Sequence, residues 1–548
     1  MKYAKYALIA LSALTFAACN DVNEQEPQGG TLTAEQLQQT NEAIESRIEA
    51  TFAGMFTMMG EPQNSLGQDR PDDYGFVMMA LSNDLEASDA WIGDNGYNWF
   101  SVCGKWSSRN PNYANPYIRY IAPYKQIKIA NDVIGSYEEG ITDPTAMNRI
   151  AQAKACRAYD YMNLAPYFQF NYADHKDDPC VPLVTEKTLD AATNPRATVE
   201  EVYKQIIEDL DYACEVLKDY KPTNKNMISG AVAYGLRARA NLNMEKWAEA
   251  AADAQKAIEL SGAQPASIAE VSTPSFCNIE DHNWLWGYDM TVATQQIFPY
   301  ATVCAWTCSF SGDSYSAAVA CYVHINKLLY DQISDTDVRK GWWLNAEKTS
   351  PLLEGLNWDG TTGQDIVDLA IEDVKMEMDP YTNVKFGMYS GIGSTTNDND
   401  FPFMRVEEMY LIKAEGLAKS GKEAEAKTVL SDFVKTYRDP SYDIEAQIAK
   451  RRLADEIWFQ RRVELWGEGF GMQDIMRLKK PVVRFHSASD SSNPYPDAFR
   501  FNVAYGDPYT LLRFPQTETD NNSAIVNNEG GVIPQMDQNP DLRDGVTD

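Results

Sequence analysis

Basic residues are scarce in this chain. Its 548 residues hold 48 Lys and Arg against 79 Asp and Glu, a formal charge of −31 at pH 7. A surface so acidic does not hold nucleic acid or an anionic lipid face through bulk charge. Histidine is scarcer still. The four, at 175, 282, 324 and 486, are far apart and form no HExxH, so a metalloprotease centre is not written here. None of the cysteines forms CxxC, which leaves zinc-ribbon and thioredoxin readings without support. GLAKSGKE (416–423) has the two glycines and the lysine of a phosphate loop, but Glu423 stands where Ser or Thr must reach magnesium. GIGSTT lacks the third glycine of a dinucleotide loop. After the first eighteen residues no apolar run approaches membrane-spanning length.

Those eighteen, MKYAKYALIALSALTFAA, run from lysines through an apolar stretch to small residues, the layout of a signal peptide. Cys19 follows at once, and small-small-Cys resembles the lipobox of bacterial lipoproteins, with Phe16 where Leu is usual. The resemblance implies cleavage before Cys19, diacylglycerol on its sulfur, and a stable lipid anchor to a membrane. Residues 19–34 then form the lipidated Cys and a polar tether. The mature length exceeds one ordinary domain. The division expected is 35–262 and 263–548, packed as one unit. Eight cysteines remain, read as mostly buried free thiols.

From residue 35 the pattern is helical. Val199, Val202, Ile206, Leu210, Ala213 and Leu217 recur at three- and four-residue steps, with Thr198 and Glu201 placed to form a capping box. Ala231, Tyr234, Ala238 and Leu242 make a second stripe, and Trp247, Ala250, Ala251, Ala254, Ala257 and Ile258 a third, ending at Gly262. Paired helices with small residues and a leading Trp resemble a tetratricopeptide hairpin. Another hairpin reads from Met404 to Lys419 and from Glu423 to Tyr437. Between these blocks, 62–113, 263–322, 340–402 and 482–540 hold most of the Gly, Pro, Asn and Asp and nearly all the tryptophans. Loops this long are usually functional. The fold class expected is mainly α: a helical hairpin scaffold with long aromatic-rich loops and a few short strands such as WLWGY, whose Trp284 and Trp286 read as core. The Asp-rich loop 392–402 lacks EF-hand spacing and reads as solvated.

Five blocks in order resemble the SusD/RagB family of outer-membrane nutrient-uptake lipoproteins. They are RAYDYMNLAPYF (157–168) with VPL (181–183), PRATVEEVYKQIIEDL (195–210), FMRVEEMYLIKAEGLAKSG (403–421), QRRVELWGEGFGMQDIMR (460–477), and FPQTE (514–518) with QNP (538–540). Gln169, Gln460 and Gly471 depart from the family pattern, where Gly, Glu and Arg are usual. In the fourth block Phe459, Val463, Trp466 and Phe470 form an apolar stripe. Arg461 and Glu464 are spaced to pair on a helix surface, as are Asp474 and Arg477. The spacing suits helix docking rather than ligand contact, and the departures at 460 and 471 are expected to delete one opposite pair together.

The resemblance implies a non-catalytic surface lipoprotein of the outer membrane that captures a nutrient glycan and passes it to a SusC-like TonB-dependent transporter, without metal or cofactor. Ring faces of sugars stack on flat aromatic side chains while placed polar groups meet the hydroxyls. DAWIGDNGYNWFSVCGKW (89–106) offers that combination: Asp89, Trp91, Asn95, Trp99 and Trp106, with Asp84 and Arg109 alongside. YATVCAWTCSFSGDSY (300–315) adds Trp306 and Tyr315. In the family the glycan platform is built from loops in these two regions, which places the site by region only. Two alternatives stand beside this reading. Peptide uptake of the RagB kind would use the same groups. A helical polysaccharide hydrolase or lyase would need a carboxylate pair, and among so many acids no pair stands out.

Overall fold

The computed structural model describes residues 38, 45–94, 99–291, 306–311, 321–356 and 378–548. The signal segment, Cys19, Asn95, Cys304 and Tyr315 lie outside them. In chain order the longer helices are α1 (Glu45–Thr57), α2 (Gly75–Glu86), α3 (Ala114–Gly135), α4 (Pro144–Phe168), α5 (Val199–Leu217), α6 (Gly230–Asn243), α7 (Trp247–Ser261), α8 (Val406–Lys419), α9 (Glu423–Tyr437), α10 (Leu453–Glu464) and α11 (Gly471–Leu478). Among the described residues the short strands are β1 (Ala90–Ile92), β2 (Pro179–Pro182), β3 (Arg196–Thr198), β4 (Trp284–Tyr288), β5 (Val323–Ile325) and β6 (Phe401–Arg405). They make three antiparallel pairs, β1–β5, β2–β3 and β4–β6. The fold is mainly α.

The expected capping box opens α5. Thr198 accepts from the Glu201 N–H while the Glu201 carboxylate takes the Thr198 N–H, and all six stripe residues of that helix are buried. Each of α4 to α9 packs on the next, so the row continues across the long stretch of sequence between α7 and α8. Small residues allow the α7–α8 crossing. Ala250, Ala254 and Ala257 are fully buried, and a Cβ on Gly416 would meet the Trp247 carbonyl oxygen at 2.4 Å. Trp284 and Trp286 are core residues of β4. The seven described cysteines are free thiols, six of them buried.

Three expectations are overturned. The region 62–113 contains α2, every residue of which is buried; a helix covered on all sides carries no amphipathic stripe to read. The loop read as solvated has its Asn397–Asp400 stretch inside the protein. There Asp400 accepts from the Ile279 and Met290 N–H groups and Asn399 bridges Tyr389 and Gly387. Finally, Arg461 and Glu464 do not pair with each other. Arg461 turns to Asp474 and Glu408, whereas Glu464 faces Arg438, Arg405 and Arg339. Asp474 and Arg477 do pair, at 2.8 Å.

Glu464 sits in a buried charge network. Arg405 reaches Glu407, Glu464 and Glu468; Arg438 reaches Glu407 and Glu464; Arg339 reaches Asp337 and Glu464; and Lys385 bonds to Glu468 and to the carbonyls of residues 464 and 466. Four cations thus meet the four carboxylates of Asp337, Glu407, Glu464 and Glu468 away from water. Burial pushes the Glu464 carboxyl up, but Arg438, then Arg405 and Arg339, hold it well below the usual carboxylate range. Removing one member of such a set strands the others. Glu464→Gln is expected to lower the unfolding free energy by about 3–5 kcal/mol, read from the urea midpoint.

Candidate functional site

The two aromatic regions meet although they lie far apart in sequence. β1 and β5 pair in the register Trp91↔His324, and opposed residues of an antiparallel pair share a face. Their rings stack with centroids 3.8 Å apart and 5° between planes. Tyr495 tilts against Trp91 at 6.2 Å and donates its hydroxyl to the Ala90 carbonyl. Beyond β1 the chain reaches Trp99, half-buried, which stands edge-on to Trp306 with centroids 6.5 Å apart. Phe100 backs Trp306 at 4.8 Å. The segment carrying Trp306 is fastened from both sides. The Ser309 hydroxyl donates to Asn383 O, the Ser311 hydroxyl to Asn397 Oδ1, and the Gly393 N–H to Phe310 O. That last bond, 3.0 Å long, ties the Trp306 segment to the turn that follows Tyr389, itself 56% exposed.

The structure places the expected site residues unequally. Trp106 is fully buried with φ at 55°, donates its indole N–H to Glu86 O, and lies under the Arg109 guanidinium at 4.1 Å. Arg109 is equally buried, paired with Glu86 at 2.7 Å and bonded to Thr510 O. Asp89 grips Arg462 with both oxygens, and its backbone carbonyl takes the Trp466 indole. These three residues fasten the loop to the scaffold: Trp106 and Arg109 present nothing to a solute, against the expectation that they meet one, and the partly exposed Asp89 has both carboxylate oxygens taken by Arg462. Trp91 and Trp306 are also mostly covered, at 8% and 3% exposure. Trp99 is the most open of the four described tryptophans in these two regions. Asn95 and Tyr315 lie outside the described residues.

Sequence reading missed His324, the buried ring that Trp91 stacks on, and Tyr389, an open ring. Isolated histidines carry no pattern, and nothing local to His324 shows that β1 will lie beside it. Burial pushes the His324 pKa down to about 3, so the ring stacked on Trp91 is neutral. The stack is thus an uncharged, buried support for the β1–β5 pair. Among the described residues no group of three His, Cys, Asp or Glu side chains is arranged to hold a metal ion.

Asp84, expected as a polar group of the site, instead ties α2 to the start of α11. Its two oxygens accept from the Gly469 and Gly471 N–H groups at 2.9 and 2.8 Å. A Cβ on Gly471 would meet the Ala87 Cβ at 2.8 Å and Asp84 Oδ1 at 3.0 Å, so no arginine fits there. Gln460 is elsewhere engaged, accepting from Arg339 and donating to Glu456. The two departures from the family pattern therefore have separate partners and do not delete one shared pair.

Two family models match the chain. One, described as the SusD family, covers residues 372–530; the other, described as "Starch-binding associating with outer membrane", covers 46–242. Among solved structures, a SusD-like carbohydrate binding protein from Bacteroides vulgatus is 22% identical with a TM-score of 0.69, over 89% of this chain and 98% of its own. A putative sugar binding protein from the same organism is 20% identical, TM-score 0.68, over 89% and 99%. Surface glycan-binding protein A from Bacteroides thetaiotaomicron, solved with laminarihexaose, is 16% identical, TM-score 0.62, over 88% and 99%. No curated protein matches. With its motifs in order and both models on their own halves, the chain belongs to the SusD/RagB family.

Burial pushes the Asp84 pKa from the ordinary 3.8 up to about 7. Between those values the folded chain holds a proton that the unfolded chain has lost, so the Asp84 contribution to stability falls as pH rises and is level outside the window. The stability difference between wild type and Asp84→Asn is therefore expected to shift in favour of the variant across that window, from 3.8 to about 7. Urea titrations at intervals across the range measure it, and a gap independent of pH contradicts it.

Proposed function

We propose that this protein is a non-catalytic lipoprotein of the outer-membrane surface that binds a neutral oligosaccharide and passes it to a SusC-like TonB-dependent transporter. The observation that carries the reading is the meeting of Trp99 with Trp306, supplied by two distant stretches of chain. A sugar ring laid on Trp99 gains apolar contact on a face that Trp306 props from the side, and Tyr389 offers a further open ring. Relatives named as carbohydrate-binding, one of them solved with laminarihexaose, support the ligand class. The formal charge of −31 favours a neutral glycan, because a polyanion would approach against the field. Capture needs no bond breaking, and the transporter supplies transit across the membrane. Cys19 is the proposed anchor.

Affinity electrophoresis through laminarin, starch and xylan tests the ligand. Trp99→Ala is expected to weaken retention by at least one glycan about tenfold, equivalent to about 1.4 kcal/mol, with an unchanged thermal midpoint. Undiminished retention would remove Trp99 from the site. Retention of peptides alone would move the reading to peptide uptake.

Cys19→Ser is expected to release the protein from the outer-membrane fraction and to abolish labelling by a clickable fatty acid. A tagged native protein is expected to bring a TonB-dependent transporter through mild detergent, identified by mass spectrometry of the eluate.

A further inference from the structure

A second recess, sharing no lining residue with the aromatic loops, opens in the helical scaffold. It is a cleft of about 450 Å³ between α1, the first turns of α4, and the connection from α5 to α6. Ligand sites run from about 300 to 1,000 Å³. Its apolar floor is made by the buried Phe52 and Phe56, packed edge to face at 5.3 Å, and its more open ring is Tyr220, half-buried on the connection. The connection is pinned at two points. The Gln152 side chain of α4 accepts from the Ile228 N–H, and the Trp286 indole donates to Asn226 O.

The polar lining is dominated by uncharged groups that both donate and accept: the amides of Asn148, Asn224 and Asn226 and the hydroxyls of Thr57 and Thr145. Its two charged members, Glu49 and Arg149, are of opposite sign, so the cleft has no net attraction for an ion. Arg149 is already engaged by the Tyr137 hydroxyl and by Glu45. Asn226 adds a sharper indication. Its Oδ1 is buried with no hydrogen-bond partner, an acceptor whose cost is recovered when a ligand brings a donor.

From this lining we infer that the α1–α4 cleft is a separate binding site for a small neutral saccharide. Tyr220 takes the C–H face of one ring above the phenylalanine floor, the amides take its hydroxyls, and Asn226 Oδ1 accepts from one of them. A charged sugar gains nothing from the opposed charges of Glu49 and Arg149. The site goes beyond the loop platform and does not depend on it, so one protein would hold a glycan at two places.

The test titrates full-length protein with maltose, cellobiose and laminaribiose by ligand-observed NMR and calorimetry. It compares wild type, Trp99→Ala, Ala53→Trp and Asn226→Ala. Ala53 is exposed on the cleft wall, so a tryptophan there fills the opening without entering the core. At least one disaccharide is expected to bind Trp99→Ala protein at millimolar concentration, with affinity reduced tenfold or more by adding Ala53→Trp and several-fold by adding Asn226→Ala. Binding abolished by Trp99→Ala alone would overturn the cleft and leave the loop reading standing. Binding indifferent to Ala53→Trp would overturn the cleft whatever Trp99 does. A response to tetra-alanine with none to the disaccharides would overturn it as a saccharide site.

Discussion

Everything on the loop side of the molecule depends on the neutralised charge set around Glu464. That residue ends α10, where the chain must turn through Gly467 and Gly469, both at positive φ, before α11 begins. Three arginines from distant positions, 339, 405 and 438, converge on its carboxylate, and Lys385 holds the carbonyls of residues 464 and 466. Arg339 and Lys385 belong to the irregular stretches between α7 and α8, and Arg405 closes β6 where those stretches end. Irregular backbone has no ladder of its own to set its position. Here its position is set by side-chain charge, at the desolvation cost that buried ions incur and recover only as a complete set.

The same logic runs outward to the aromatic rim. Trp466, two residues past Glu464, donates its indole to Asp89 O, and Arg462 clamps the Asp89 carboxylate. Asp89 O also takes the Asn326 N–H, immediately after β5. The β1–β5 pairing that stacks Trp91 on His324 thus hangs directly from the helix that carries the family's fourth motif. The motif residues make the frame, and the frame decides where the loop aromatics stand. Sequence spacing alone had pointed to docking for those arginines. It assigned Arg461 the wrong carboxylate, because three-residue spacing shows which pairs are reachable on one helix and says nothing of Asp474 arriving after a break.

Local physics was legible and tertiary physics was not. Thr198 and Glu201 form their box because both partners lie within one turn, and the stripe of α5 faces the core because one face is wet. α2 left no trace because both faces are dry. The aromatic loops show the harder failure. Trp106 and Arg109 sit in the same Gly- and Asn-rich texture as Trp99, yet they are held by Glu86 at the end of α2 and by Thr510 and Tyr509 from the far end of the chain. Composition identifies a region where indoles and irregular backbone coincide. It cannot separate an indole that closes the loop against its frame from one left open to a solute, since that depends on partners far away in sequence.

This division also explains why the open aromatic surface is small. An irregular loop needs buried rings to hold it: Trp306 stands edge-on to the half-buried Trp99 and is itself backed by Phe100, while the nearly covered Trp91 is packed by Tyr495 and His324. Supporting rings are fixed by packing and change only at the cost of a cavity. Rings at the rim have fewer neighbours to satisfy, so they can be exchanged without unseating the loop. On the proposed reading, ligand preference is free to vary at one or two rim positions while the charge set and the supporting rings stay as they are. A frame held from within and read at its edge lets one fold present different surfaces to different solutes.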